Sequence, residues 1–411
     1  MKQLLNLAWR NMWRNRRRSL ITMSAIVFAM LITTLMRSLQ YGTYDALESY
    51  AVNLFTGEVQ IHAQGYQDER TFTKSLVEGD SLIQSALGRV ADLQGSVRRI
   101  SGFGLLSSHS ASMGAMIIGI SPEEELSVTT FSDTSLLVAG QALTNDDSLH
   151  VVLGKDLAGN LKITTGDSLV IITQGYRNEM GADIYIVKGL IQTGSFELDR
   201  TLTIMPIKAG QSLFAMEGRI TEIICKSTDF RKADTWAAQI QKEIGPGYEV
   251  LSWREMLPEL EQTIALDNIG GAVFLLFLLI IVGAEILNTS MMGVMERIKE
   301  FGILHAIGLR PGQIGTLVFL ESLLKMGLAL AFGLALSGVL IAILSQYPIP
   351  LSEDVKAAMA QYGFITDMFF SAKLKVFLEP FLSISAISFL ATLYPSRMAS
   401  RLSPVEAMRR R

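Results

Sequence analysis

The chain has 411 residues, 49% of them hydrophobic and only 18% charged. That is too apolar and too weakly charged for a disordered or coiled-coil protein, and it fits a chain that is part membrane and part globular. The net charge of -3 hides an asymmetry: residues 41–267 hold 17 Lys+Arg against 30 Asp+Glu, a net of -13, and the remainder is +10. The acidic middle repels phosphates, which excludes nucleic acid as its partner, while basic ends beside apolar runs follow the positive-inside pattern.

Residues 1–19 carry six basic side chains and form a cytoplasmic N-terminal elbow. An apolar run follows and predicts a first transmembrane helix over 20–40. A cleaved signal peptide is the competing reading. The run is long and no Ala-x-Ala site follows at 40–43, which favours a retained helix. Thr22, Ser24, Thr33 and Thr34 make it mildly polar, as suits a helix facing other protein.

Residues 41–267 read as an external α+β domain. Positions 41–54 have helical spacing and extend the first membrane helix outward. Alternating Val, Ile and Tyr between Gly and Asp breakers predict strands at 57–62, 115–120, 150–153, 168–173, 184–190 and 222–225. Helices are expected at 81–91, 154–161, 210–216 and 229–244. Gly154-Lys155 lacks the other glycines and the Ser/Thr of a P-loop, so nucleotide binding there is rejected. Strands 168–173 and 184–190 are joined by a polar hairpin tip, 174–183, with an exposed-type Tyr176 and Met180. It is either a solvated loop or a docking arm, in which case Gln174, Tyr176, Arg177 and Met180 are the candidate contacts. Cys225, the single cysteine, reads as a small buried side chain, and the four histidines are scattered.

Three more apolar stretches predict transmembrane helices over 268–292, 314–344 and 376–395, the last stopped by Pro395. The elbow, the connection 293–313 (Arg297, Lys299, Arg310) and the tail 396–411 are all basic. Four spans place them on one side, the cytoplasm, leaving 41–267 and a loop, 345–375, outside. The fold class is therefore an α-helical membrane protein with four transmembrane helices and an α+β extracytoplasmic domain inserted between helices 1 and 2.

The connection MERIKEFGILHAIGLRPGQI is amphipathic. Phe301, Leu304, Ile307 and Gly308 share one face, and Glu296, Lys299, Glu300 and Arg310 occupy others. Gly308 falls where a helix ends, and Pro311-Gly312 turns the chain. This is either an interfacial connector or a lever held by a cytoplasmic partner. Glu285, Glu321 and Lys325 are membrane charges at similar depth if helices 2 and 3 form a hairpin, and Glu321 and Lys325 are spaced i,i+4. They form either a paired cluster or charges that snorkel. Glycines 327, 333 and 338 permit close helix contacts. No nucleophile elbow, zincin motif or metal-spaced Cys/His set occurs, so the chain is expected to be non-catalytic and to hold no cofactor or metal.

Four stretches carry a family resemblance: LAWRNMWRNRRRSL at 7–20, the 295–314 connection with its Glu-Phe-Gly and Ala-Ile-Gly elements, YPSRMASRLSPVEAMR at 394–409, and GISPEE at 119–124 together with 153–167. The chain resembles the permease subunits of MacB-fold ABC transporters, the group of FtsX-like permeases that includes the lipoprotein-releasing LolC/LolE branch. The resemblance implies two permeases, identical or paralogous, working with a cytoplasmic ATPase dimer that binds the ATP and Mg. This chain, without a Walker motif, does not supply the ATPase. It implies coupling to that ATPase through Glu296, Arg297, Lys299, Glu300, Phe301, Gly302, Ile303, Ala306, Ile307 and Gly308. It implies mechanotransmission in the inner membrane: a lipoprotein is released to a periplasmic carrier, captured in that branch by a hairpin at a place like 174–183. Met30, Phe274 and Phe277 are candidates for lining an acyl cavity between helices 1 and 2, and are core-like residues by default. MacB-like efflux of peptides or small molecules, and FtsX-like signalling to a cell-wall hydrolase, remain the alternatives.

Overall fold

The computed structural model describes residues 2–90, 93–347, 349–350 and 367–401. Much of the expected loop 345–375, and the tail beyond 401 with the second half of the 394–409 motif, lie outside the described residues. The described residues fall into two compact units, 46–263 and 2–45 with 264–350 and 367–401.

In the membrane unit, helix Lys2–Arg14 precedes four helices long and apolar enough to cross a bilayer. They are Arg16–Ala51, which continues into a π-helical turn Val52–Thr56, then Pro258–Glu296, Pro311–Leu344 and Leu374–Ser400. A short helix, Ile298–Ala306, lies between the second and third. The helices outrun the apolar stretches because helix propagation continues through polar turns once the apolar segment is formed. Pro395 does not stop the last helix, contrary to the sequence expectation: both Pro380 and Pro395 lie inside it and are buried. A membrane helix tolerates proline where neighbouring helices pack around the break.

Ile26, Met30, Val282, Ile286, Ala329, Leu330 and Ile384 form the interhelical core. Thr22, Thr33 and Thr34 are buried in the first helix, each donating its hydroxyl to the carbonyl four residues back. Ser24 faces outward. Of the three glycines singled out in the third helix, only Gly333 is a contact point: a Cβ there would come within 3.0 Å of Met30 Cβ, whereas Gly327 and Gly338 face open space.

In the α+β unit, six strands close on themselves. Leu93–Ser107 pairs with Ser112–Ile120, then in turn come Leu202–Pro206, His150–Gly154, Met180–Ile191 and Ser168–Gln174, which pairs back onto Leu93–Ser107. Closure removes free sheet edges, and the inward residues Leu106, Ile117, Leu153, Ile171 and Val187 fill the interior. The first half of Leu93–Ser107 serves a different, antiparallel sheet in the order Tyr248–Ser252, Val59–Ala63, Glu222–Ser227, Leu93–Ser107. Helix Ala233–Ile244 packs on that sheet, and helix Ser81–Leu87 packs against it in turn, with Ile83, Ala237 and Ile240 in the shared core.

The strand shared by both sheets is absent from the sequence expectation, as are Leu137–Gly140, Leu202–Pro206 and Tyr248–Ser252. Its sequence, LQGSVRRISGFGLLS, has glycines and two arginines where a half-buried strand would alternate. The structure supplies the reason. Arg99 is fully buried, and its partner Glu125, in the helical turn Pro122–Glu125, is too. Arg99 Nε and Nη2 reach Glu125 Oε1 at 3.1 and 2.5 Å, Nη2 donates to Thr129 Oγ1, and Nη1 donates to Phe55 O at 2.7 Å. The rings of Phe55 and Phe131 lie on the guanidinium at 5.1 and 4.7 Å.

Removing one member of a buried pair leaves an uncompensated charge, at a cost of about 3–5 kcal/mol. Arg99→Met should therefore lower the unfolding midpoint of the full chain sharply, while Arg99→Met with Glu125→Met should recover most of the loss. Thermal unfolding of the three proteins decides it; additive losses would show that the pair is not the coupled unit described.

Candidate functional site

The long helix ends at Glu296, Arg297 breaks it, and the short helix Ile298–Ala306 turns away. Gly308, at φ +106°, closes that helix in a conformation that only glycine adopts cheaply, with its N–H on His305 O and that of Leu309 on Leu304 O. Arg310 and Pro311 then open the third membrane helix.

The short helix has two faces. Ile298, Phe301 and Gly302 are buried, and Phe301, 1% exposed, packs with Val294, Ile314, Val318 and Ala399. Lys299, Ile303, Ala306, Ile307 and Gly308 face outward, with Ile307 71% exposed. This corrects the predicted face: Phe301 and Ile307 do not share one side, because the helix starts at Ile298 and the chain has left it by Ile307. Glu296, Arg297 and Glu300 are tied within the chain. Arg14 binds Glu300 at 2.5 Å, Arg18 binds Glu296, and Arg297 binds Glu300 at 3.0 Å while stacking on Phe301.

That network continues into the membrane unit. Arg297 Nη1 reaches Glu321 Oε2 at 2.7 Å, and Lys325 Nζ reaches Glu321 Oε1 at 3.0 Å. The predicted Glu321–Lys325 pair is thus present, but its third member is Arg297 and not Glu285. Glu285 is in no ion pair among the described residues; Thr289 Oγ1 donates to its backbone carbonyl. The break at Arg297 swings the guanidinium back over the third helix, which a straight-hairpin argument does not foresee. Burial works against the Arg297 charge, yet Glu321 and then Glu300 outweigh it and hold its pKa above the usual value. Burial likewise disfavours the Glu300 carboxylate, but Arg14 and Arg297 overcome this and pull it below its usual range. These groups, with Thr22, Ser290, Ser388 and Thr392, surround a polar cavity of about 320 Å³.

A second charge cluster escaped sequence reasoning. Arg37, largely buried, lies 3.4 Å from Glu379, which also accepts from Tyr41. Asp267 accepts from Gln40 and Tyr44. The signal was available as isolated charges at the ends of apolar runs.

The three proposed cavity residues do not converge. Met30 is buried in the interhelical core, whereas Phe274 and Phe277 are exposed on the second helix. Their i,i+3 spacing puts the two rings on one outward face, away from the packed stripe of Val282 and Ile286.

The hairpin is shorter than its sequence implied and is no free arm. Pairing runs to Gln174↔Met180, leaving five residues at the tip. Tyr176 is turned inward against the core, with its N–H on Phe214 O at 2.7 Å and Arg219 over its ring. Met180 is 82% exposed, and Gln174 and Arg177 also face solvent. A Cβ on Gly175 or Gly181 would meet the backbone oxygen of Phe214 or Leu213 at 2.4 or 2.0 Å, so the tip lies flat on the end of helix Ile207–Leu213.

Four membrane-length helices with a closed α+β insertion after the first, and a short helix held by charges between the second and third, define a polytopic membrane protein with one large inserted domain. Family comparison is specific. The MacB-like periplasmic core domain model matches residues 19–243, and the FtsX-like permease C-terminal model matches residues 272–404. The chain belongs to the MacB-fold, FtsX-like permeases of ABC transporters. It is similar to the lipoprotein-releasing system transmembrane protein LolC of Xylella fastidiosa, 27% identical over 311 residues covering 72% of this chain and 73% of the relative. LolC of Neisseria meningitidis is 24% identical over 324 residues, 75% and 76% of the two chains. An ABC transporter permease of Methanocaldococcus jannaschii is 22% identical over 430 residues, 99% and 97% of the two. Among solved structures, the periplasmic region of MacB from Actinobacillus actinomycetemcomitans is 16% identical, covering 51% of this chain and 94% of its own, with a TM-score of 0.33.

Two measurements test the geometry. Cys225 is buried and its thiol is pushed up to about 12, by burial first and then by Glu58, so it is a quiet background for thiol labelling. Ile307→Cys should label rapidly and Phe301→Cys many-fold more slowly; equal rates would refute the two-faced helix. Gly181→Ala should destabilise the α+β unit by about 1–3 kcal/mol through forced backbone displacement, and Met180→Ala should stay within about 0.5 kcal/mol, as exposed positions do. Calorimetry of the two variants gives the comparison.

Proposed function

We propose that this chain is the permease of an ATP-driven lipoprotein-releasing complex that works by mechanotransmission. The substrate part of the reading rests on similarity to proteins named as lipoprotein-releasing LolC over about three-quarters of the chain. One observation carries the coupling part. The helix Ile298–Ala306 keeps its ionic and aromatic face on the chain and leaves an uncharged, apolar patch around Ile303, Ala306 and Ile307, with Lys299 beside it. We read that patch as the docking surface for a cytoplasmic ATPase dimer that binds ATP and Mg.

Closure of the ATPases pushes the short helix. The Arg14–Glu300, Arg18–Glu296 and Arg297–Glu321 links pass that displacement to the N-terminal helix and to the third membrane helix. The first and second membrane helices are continuous with residues of the α+β unit and carry the motion there. Basic ends on the cytoplasmic side and the acidic α+β unit in the periplasm complete the arrangement, with a second permease alongside. The released lipoprotein passes to a periplasmic carrier, which meets Met180 and Arg177 and not the inward-turned Tyr176.

Purification from the native membrane followed by mass spectrometry tests both parts. An ATPase together with acylated lipoprotein peptides is the expected result. Ile307→Asp should reduce the recovered ATPase several-fold without loss of the permease. An ATPase accompanied by an outer-membrane tunnel or a cell-wall hydrolase, and no lipoprotein, would replace release by efflux or signalling. Undiminished ATPase recovery with Ile307→Asp would remove the docking patch.

A further inference from the structure

The α+β unit contains a cavity of about 720 Å³, within the range of ligand pockets. Its walls come from the end of the first long helix and its π-turn, the start of the second long helix and the mouth of the barrel. One side is apolar, with Leu54, Phe55, Phe103, Leu198, Leu257 and Leu260. Phe103 is 62% exposed, so its ring is available for contact.

The floor is polar and unbalanced. Glu222 is only 7% exposed and forms no ion pair with Lys or Arg among the described residues. Its side-chain partner is Ser101, whose Oγ donates to Oε1 at 2.5 Å. The other donors on the floor are spent inward. Tyr66 Oη donates to Ser101 O at 3.3 Å, and Gln60 Nε2 donates to Thr56 O at 2.7 Å. His62, stacked on Tyr66, lies between two acceptors, Thr221 O at 3.3 Å and Gln60 Oε1 at 3.0 Å. Burial lowers the His62 pKa, and a neutral ring has one N–H to give to two acceptors. The floor therefore offers acceptor capacity and a buried negative charge, and it lacks donors.

A ligand that satisfies it donates several hydrogen bonds, carries positive charge and has an apolar body. We propose that this cavity is a binding site for a primary-amine amphiphile, with its ammonium on Glu222 and its hydrocarbon against the Phe55–Phe103–Leu257 wall. The mouth carries Arg70, Arg177 and Glu197, all exposed. Arg70 acts on His62 and Tyr66 from the mouth, but exposed charges are screened by salt more than a buried one, so Glu222 weighs most in setting the sign of the ligand. The site does not depend on the cargo being a lipoprotein. Occupancy bears on transport directly, because the ligand would contact the ends of both long helices that carry the motion.

The test uses the full chain in lipid nanodiscs with Thr73→Cys, exposed on the cavity lining and outside the apolar wall, as reporter, a methanethiosulfonate reagent as label, and octylamine and octanoate as probes at neutral pH. Octylamine should slow labelling several-fold and octanoate should not. Glu222→Gln in the same background should keep the unprotected rate and abolish the octylamine effect. A Leu149→Cys reporter, exposed outside the cavity, should be indifferent to both probes. Equal protection by the two probes, no protection by octylamine, or protection that survives Glu222→Gln would each overturn the proposal.

Discussion

The α+β unit depends on the buried Arg99–Glu125 pair. A fully buried guanidinium is costly to desolvate and is tolerated only when its hydrogen bonds are met. Here they are met by elements distant in sequence: the turn at 122–125, Thr129, and the carbonyl of Phe55 at the end of the first long helix. The pair sits where strand Leu93–Ser107 leaves the open sheet for the barrel, so one interaction fixes the two sheets and the helix end together. An apolar replacement of similar size fills the same space but specifies no direction. The ionic version holds the helix end in one register.

The membrane unit uses charge in a related way at its basic end. Each cation of the set Arg14, Arg18, Arg297 and Lys325 has a carboxylate partner among Glu296, Glu300 and Glu321. Exposed pairs contribute little singly. Their geometry matters more, because they tie the short helix both to the N-terminal helix and to the third span. The short helix thus commits its charged side to the chain and leaves an apolar side exposed at Ile303 and Ile307.

Much of this architecture was legible in the sequence because it rests on local patterns. Four apolar runs give four long helices, since a bilayer-length segment has few other ways to satisfy its backbone. Alternation at 115–120, 150–153 and 168–173 gives strands. The failures share a cause. Leu93–Ser107 carries no clean alternation because its two halves serve two sheets and its buried charge is compensated from elsewhere. Pro395 reads as a stop, yet it is buried among neighbouring helices and the helix runs past it.

The sequence alone determined the class: membrane spans, an acidic inserted domain, the connection between spans two and three, and motifs specific enough to name a permease family. Tertiary structure decided which residues face which way. It put Arg297 instead of Glu285 beside Glu321, turned Tyr176 in and left Met180 out, separated Met30 from Phe274 and Phe277, and gathered Gln60, His62, Tyr66 and Glu222 around one cavity. Span length and hydropathy are properties of a segment and can be summed along it. Pairing and facing depend on kinks, register and closure, which bring together residues that no local pattern relates.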